Sequence, residues 1–238
     1  MFANTLYPVT NAFLENVQEE VIENVKRLRN HASVVFWCGN NEILQGYREW
    51  GWYSRPEITW DRYHQIFNKL IPKILSEEDP DKSYIHSSPL GSQFGEMKVA
   101  DVHYWAVWWG EAPIEYYKEK VGYFNSEFGM QSLLPMSSMK LFLNEEDMED
   151  SESPGIIYHN KMANGNRVTR KYVNEAFKPW VEKSLEDYSY LTICTQAYGV
   201  GVRLESIRRA VPRSMGSLFW QFNDLWPVFS WSSIDYYG

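Results

Sequence analysis

The stretch Val34-Val35-Phe36-Trp37-Cys38-Gly39-Asn40-Asn41-Glu42 decides how this chain is read. Its β-branched and aromatic opening predicts a short buried strand over 34–37, of the kind a parallel sheet covered on both faces contains. The run passes into small and amide residues and closes on a carboxylate. A second stretch repeats the pattern: Tyr123-Phe124-Asn125-Ser126-Glu127-Phe128-Gly129, with a strand expected over 122–125. A buried strand that delivers an acid at its C-terminal tip is how a parallel α/β barrel presents reactive groups.

Working outward, residues 11–30 carry Phe13, Leu14, Val17, Val21, Ile22, Val25 and Leu28 at helical spacing, which predicts an amphipathic helix. Residues 46–56 read as loop, and 60–76 as a helix interrupted near Pro72. Ser83–Ser88 ahead of Pro89 reads as a strand with its exit loop, and 102–107 and 217–222 as two more strands. Helices are expected over 167–187 and 190–210, the second weakened by Gly199 and Gly201. The acidic run 145–152, closed by Pro154-Gly155, reads as a solvated loop.

Strand and helix alternate, which is the pattern of an α/β fold with crossover helices. The expectation is one catalytic domain over 1–238, a (β/α)8 TIM-type barrel. Five strands are counted, and Met1-Phe2-Ala3 reads as the tail of a sixth, against the eight strands and roughly 250 residues of a closed barrel. The barrel is therefore expected to be incomplete and cut at both ends. Strands 3 or 4 to 8 would be present, with the first strands and the last helix missing.

The 238 residues, 44% hydrophobic, suffice for one sizeable core. A net charge of −8 leaves no basic stripe to neutralise phosphates, so neither nucleic acid nor an anionic membrane is expected as a partner. No apolar run approaches the roughly 20 residues of a membrane-spanning helix. No basic-then-apolar signal segment opens the chain, and no Asn-x-Ser/Thr sequon occurs. Cys38 and Cys194 make no disulfide framework and no metal-ligand spacing; Cys38 reads as a small buried hydrophobe. No metal or other cofactor is expected. Aromatics are in excess at 16%, and Trp50, Trp52, Trp109 and Trp226 fall in loop-like positions, which suits stacking on sugar rings as well as core packing.

Two acids on different strands are what glycoside cleavage needs, one with a raised pKa beside the leaving oxygen. Glu42 and Glu127 are the candidate pair. A carboxyl separation of about 5 Å would favour retention with Glu127 as nucleophile, and one well above 6 Å inversion. Asn41 beside Glu42 is suited to a sugar 2-hydroxyl. His103 and Tyr104, at the tip of the 102–107 strand, are candidates for positioning the nucleophile or binding hydroxyls. Trp220 is suited to floor the reacting ring, with Asn223 and Asp224 following it in Phe219-Trp220-Gln221-Phe222-Asn223-Asp224. His31 reads as structural, and His64 and His159 as surface residues.

Taken together, His31-Ala32-Ser33, Trp37-Cys38-Gly39-Asn40-Asn41-Glu42, His103-Tyr104-Trp105, Ser126-Glu127-Phe128-Gly129, Trp220 to Pro227 and Ser230-Trp231-Ser232-Ser233-Ile234-Asp235-Tyr236 resemble the β-mannosidases of glycoside hydrolase family 2. The doubled Asn before Glu42 and the closing Trp-Ser-Ser-Ile-Asp-Tyr run favour that branch over the β-galactosidases and β-glucuronidases. The resemblance implies a retaining exo-β-mannosidase that releases terminal non-reducing mannose without a metal, with Glu42 as acid/base and Glu127 as nucleophile. It implies that Asn41 holds the axial 2-hydroxyl and that Trp50 or Trp52 lines the sugar subsite. The partners it implies are a β-mannoside or mannose-terminated oligosaccharide, and the rest of a longer polypeptide, or self-association, to complete the barrel. A cytoplasmic or periplasmic compartment is favoured, and the resemblance admits a lysosomal one. A catalytically silent fragment that binds carbohydrate or a partner stands as the alternative from another class, separated by whether the barrel is completed.

Overall fold

The computed structural model describes residues 1–55, 59–91, 101–177 and 184–238. They fall into two compact units, the first holding the described residues up to 91 together with Asp101, the second those from 102 onward. Helices and parallel strands make up both, so the chain is α/β.

The first unit opens with α1 (Asn11–Leu28), capped by the Thr10 side chain, which accepts from the Phe13 N–H at 3.4 Å. Strand β1 (Phe36–Asn41) pairs in parallel with β2 (Ser83–Ser88), in a register that matches Asn40 with Ser87 and Asn41 with Ser88. The predicted 34–37 strand therefore sits too early. Val35 is 71% exposed, and ladder bonds to β2 carry extended backbone through the polar residues up to Asn41. Phe2 makes an isolated parallel bridge to Asn40 on the other side of β1.

The expected loop at 46–56 begins instead in a short helix, α2 (Ile43–Glu49), followed by a 3-10 turn over Trp52–Ser54; residue 56 lies outside the described residues. Seven residues are too few to show helical periodicity, and burial of Ile43 and Leu44 holds the turn in place. The next helix runs as α3 (Trp60–Tyr63), a π segment (His64–Leu70) and α4 (Ile71–Glu78). The Ile71 N–H reaches back five residues to Ile66. Pro72 has no N–H to donate and its ring would crowd a regular preceding turn, so the helix widens there. Val17, Val25, Ile66, Phe67 and Leu75 form the core of this unit.

In the second unit β3 (Val102–His103), β4 (Phe124–Glu127) and β5 (Gly216–Ser217) form a parallel sheet in that order. Both flanking strands are shorter than the expected 102–107 and 217–222. Single hydrogen bonds continue past them, from Tyr104 N–H to the Glu127 carbonyl and from Leu218 N–H to that of Asn125, each 2.8 Å. The chain then turns away, with Trp108 and Glu111 at positive φ. The apolar run Tyr104, Trp105, Val107, Trp108 reports burial in the unit's core, not extension.

Among the described residues this unit carries five helices, α5 (Tyr116–Glu119), α6 (Met136–Met139), α7 (Pro154–Tyr158), α8 (Gly165–Ala176) and α9 (Leu185–Arg209), the last in contact with β5. The helix expected over 167–187 is thus two elements. Residues 178–183 lie outside the described set, and Ser184 caps α9 by accepting from the Asp187 N–H at 3.1 Å. The acidic 145–152 stretch is turns, as expected of a loop. No helix among the described residues is long and apolar enough to cross a membrane.

Helix α9 runs unbroken through both glycines. A Cβ at Gly199 would collide with the Met130 thioether, whereas one at Gly201 would meet open space. Gly199→Ala is therefore expected to destabilise by about 1–3 kcal/mol through overpacking. Gly201→Ala should stabilise by about 0.5–1 kcal/mol through helix propensity. Paired urea titrations of the two variants check the opposite signs.

Candidate active site

Glu42 sits where β1 ends and α2 begins, in a left-handed conformation with φ 57°. That backbone is unfavourable for a residue with a Cβ and persists only where surroundings fix it. Here they do. The Glu42 N–H donates to the Ser88 carbonyl at 2.8 Å, extending the β1–β2 ladder, and the Gly46 N–H returns to the Glu42 carbonyl at 2.8 Å. Glu42 is 8% exposed.

The clamp beneath it is Asn40, fully buried. Its amide nitrogen donates to the His86 carbonyl at 2.6 Å and to the Tyr63 hydroxyl at 3.4 Å. Its amide oxygen accepts from the Ser87 hydroxyl at 2.8 Å and from the Ile43 N–H at 3.1 Å, the first residue of α2. The Tyr63 hydroxyl lies 2.5 Å from His86 Nδ1. Burial lowers the His86 imidazole, with Arg48 and His64 adding to the effect, and burial raises Tyr63 to about 12. A neutral ring accepting the tyrosine proton fits both shifts. Asn40→Ala removes four interactions from a sealed site and is expected to cost about 2–4 kcal/mol, read as a lower urea midpoint.

Asn41 follows on the partly exposed side of β1, and its buried Oδ1 has no hydrogen-bond partner among the described residues. Trp50 is 37% exposed, with its ring set edgewise 5.7 Å from that of Trp52. Trp52 itself lies against Gly46 and the core of the first unit.

In the second unit Glu127 closes β4. The register slips there: Val102 pairs with Asn125 and His103 with Glu127, so Ser126 is the extra residue of a bulge. A bulge re-aims the side chain beside it. The result sets the Glu127 carboxylate 3.3 Å from His103 Nδ1 and 3.0 Å from Trp105 Nε1, which donates to it. All three residues are buried. Two ring nitrogens on one carboxylate oxygen fix its direction, which is what an attacking carboxylate needs. Gly129 allows the chain beyond to pass against the Trp220 carbonyl, where a Cβ would collide.

Tyr104 is 1% exposed, its ring tilted 56° against that of Tyr117 and beneath the Arg203 guanidinium. Trp220 is 42% exposed, its N–H donating to the Phe128 carbonyl at 2.8 Å and its peptide to Gln221 cis. Asn223 is exposed. Asp224 accepts from Gln221 at 2.8 Å, from Ser230 at 2.5 Å and from Ser232, tying the 220–224 segment to 230–232. His159, expected at the surface, is half-buried instead: Nδ1 is 2.7 Å from the Pro227 carbonyl, and the ring packs on Phe142 and Trp226.

Sequence reading missed Asn40, Ser87 and Trp105 as supports of the two acids. Asn40 and Trp105 lie in the quoted motifs, but nothing in one sequence separates a clamping amide from a substrate-facing one.

No protein-family profile matches the chain. Its whole length is similar to β-mannosidase B of Neosartorya fischeri and of Aspergillus fumigatus, each at 32% identity, and of Aspergillus clavatus at 33%. The chain spans about 30% of the length of these relatives. Among solved structures it resembles the β-D-mannosidase of Dictyoglomus thermophilum, with a TM-score of 0.89 and 36% identity over the whole of this chain and 29% of that one.

Proposed function

We propose that this chain, a homologue of the β-mannosidases over its full length, is a catalytic segment of a retaining exo-β-mannosidase of glycoside hydrolase family 2. The parallel strand pairs are read as parts of a (β/α)8 barrel, whose acids act from the C-terminal strand tips. The observation that carries the proposal is Glu127, a buried carboxylate at such a tip, held by Trp105 Nε1 and His103.

In this reading Glu127 attacks the anomeric carbon while Glu42 protonates the departing oxygen. The bond to the aglycone breaks as the glycosyl–Glu127 ester forms. Glu42, now ionised, takes a proton from water, which attacks the same carbon, breaks its bond to Glu127 and so frees that carboxylate and mannose with its configuration retained. Retention by this route calls for two carboxyl groups about 5 Å apart across the sugar. The unpartnered Asn41 Oδ1 is suited to accept from the mannose 2-hydroxyl, a bond that strengthens as the oxocarbenium-like transition state forms. Trp50 and Trp220 present exposed ring surface for the sugar face, and Asp224 with Asn223 shapes the segment that carries Trp220.

The test is turnover by the full-length protein of chromogenic β-mannoside, β-galactoside and β-glucuronide. Preference for the mannoside with β-mannose as the first product, read by proton NMR, supports the proposal. Release of α-mannose defeats the retaining assignment, and no turnover of any of the three favours a silent carbohydrate-binding role.

A further inference from the structure

Arg203 is fully buried in the second unit, on α9, and none of the chemistry above uses it. Its planar fork is committed in three directions. Nη1 donates to the Tyr117 carbonyl at 3.0 Å and the Lys120 carbonyl at 2.6 Å, at the end of α5. Nη2 donates to Asn125 Oδ1 at 2.7 Å, on β4. Its Cζ lies over the Tyr104 ring, 4.7 Å from the centroid, and over that of Phe128 at 5.7 Å.

The positions of these partners are informative. Tyr104 directly follows His103, and Phe128 directly follows Glu127. Successive side chains on extended backbone point to opposite sides, so one cation grips the residues immediately behind the nucleophile and its histidine. Asn125 lies two residues before Glu127, and it also bonds Gly122 and Ser214 across the start of β4. The carboxylate-bearing bulge is thus held on both sides by one group. Burial lowers the Arg203 guanidinium to about 10, against an opposing pull from Tyr117 and Tyr104, so it stays charged at neutral pH. Ring faces and carbonyl oxygens stabilise that charge.

We propose that Arg203 is a positioning residue for the Glu127–His103 pair, setting the depth and direction of the β3 and β4 tips from beneath. The proposal rests on the reading of Glu127 as nucleophile. Lysine cannot reproduce the fork, since its ammonium is a point charge without fixed directions.

The experiment compares Arg203→Met and Arg203→Lys in the full-length protein on a chromogenic β-mannoside, with melting temperature and kcat and KM measured separately. A displacement near 1 Å costs roughly 100-fold in rate, so Arg203→Met should lose about that in kcat with KM little changed, and Arg203→Lys should recover about tenfold of it. If neither variant folds, Tyr104→Leu, which removes one ring face and leaves the hydrogen bonds, carries the same expectation of a fall in kcat at constant KM. Activity that falls only in proportion to the folded fraction overturns the proposal. So does a crystal structure of any of these variants that keeps His103 Nδ1 at 3.3 Å from Glu127. That structural outcome is independent of the functional reading, which fails separately if Glu127→Ala retains turnover.

Discussion

Turnover of a chromogenic β-mannoside by the full-length protein is expected to fall by about 10⁴-fold or more when Glu127 is replaced by alanine, the scale on which loss of a covalent nucleophile registers. The carboxylate is buried, and Trp105 Nε1 and His103 already determine its direction. Removing it leaves those donors with no anion to orient and no atom to carry the glycosyl group. The expected signature goes beyond slow turnover. With a small anion such as azide and a substrate that has an activated leaving group, Glu127→Ala should form the α-mannosyl azide, because azide enters the vacated side directly. Undiminished activity in this variant would sink the assignment, whatever the other residues do.

How much of this was legible beforehand differs between the two acids. Both strand tips could be read, because a β-branched or aromatic run that ends in small residues and a carboxylate is a local pattern. The second strand lies two residues later than its local pattern predicts, and Phe124 and Asn125 belong to both spans. The first runs further than its local pattern predicts, because its polar half is extended only through pairing with β2. Pairing is non-local, and the sequence around Asn40 contains no sign of Ser87. The same limit applies to the strands at 102 and 217. The apolar run after His103 serves a packed cluster that sequence cannot distinguish from a ladder, whereas beyond Ser217 Phe219 packs on that cluster and Leu218, Trp220 and Phe222 are exposed.

The supports of the acids were the least visible. Asn40 and Asn41 are adjacent and chemically identical, yet one is sealed beneath β2 and Tyr63 while the other keeps a buried oxygen with no partner among the described residues. Alternation along the strand assigns them opposite sides, and only the position of the core decides which side is which. Arg203 illustrates the converse. An arginine in the middle of a long helix gives no hint of burial, because the groups that accept its hydrogen bonds lie more than 70 positions away in sequence.

Glu42→Ala should behave differently from Glu127→Ala, and the difference separates acid/base from nucleophile. A mannoside with a poor leaving group depends on protonation of the departing oxygen, so its turnover should fall by about 10²–10⁴-fold. A dinitrophenyl mannoside leaves without assistance, so Glu127 is still glycosylated and the slow step becomes release. Water needs a general base at that step and azide does not. Azide should therefore accelerate turnover of the activated substrate and give the β-mannosyl azide, since the anion displaces Glu127 from the side the aglycone left. Loss of the Asn40 clamp should mimic part of this, as the left-handed turn at Glu42 relaxes and the carboxyl swings off line. Asn40→Ala is thus expected to slow poor leaving groups more than activated ones, whereas azide should do little for it, because the carboxylate remains nearby as a base. An α-azide from Glu42→Ala would exchange the roles of the two glutamates, and absence of any azide adduct would remove Glu42 from the chemistry.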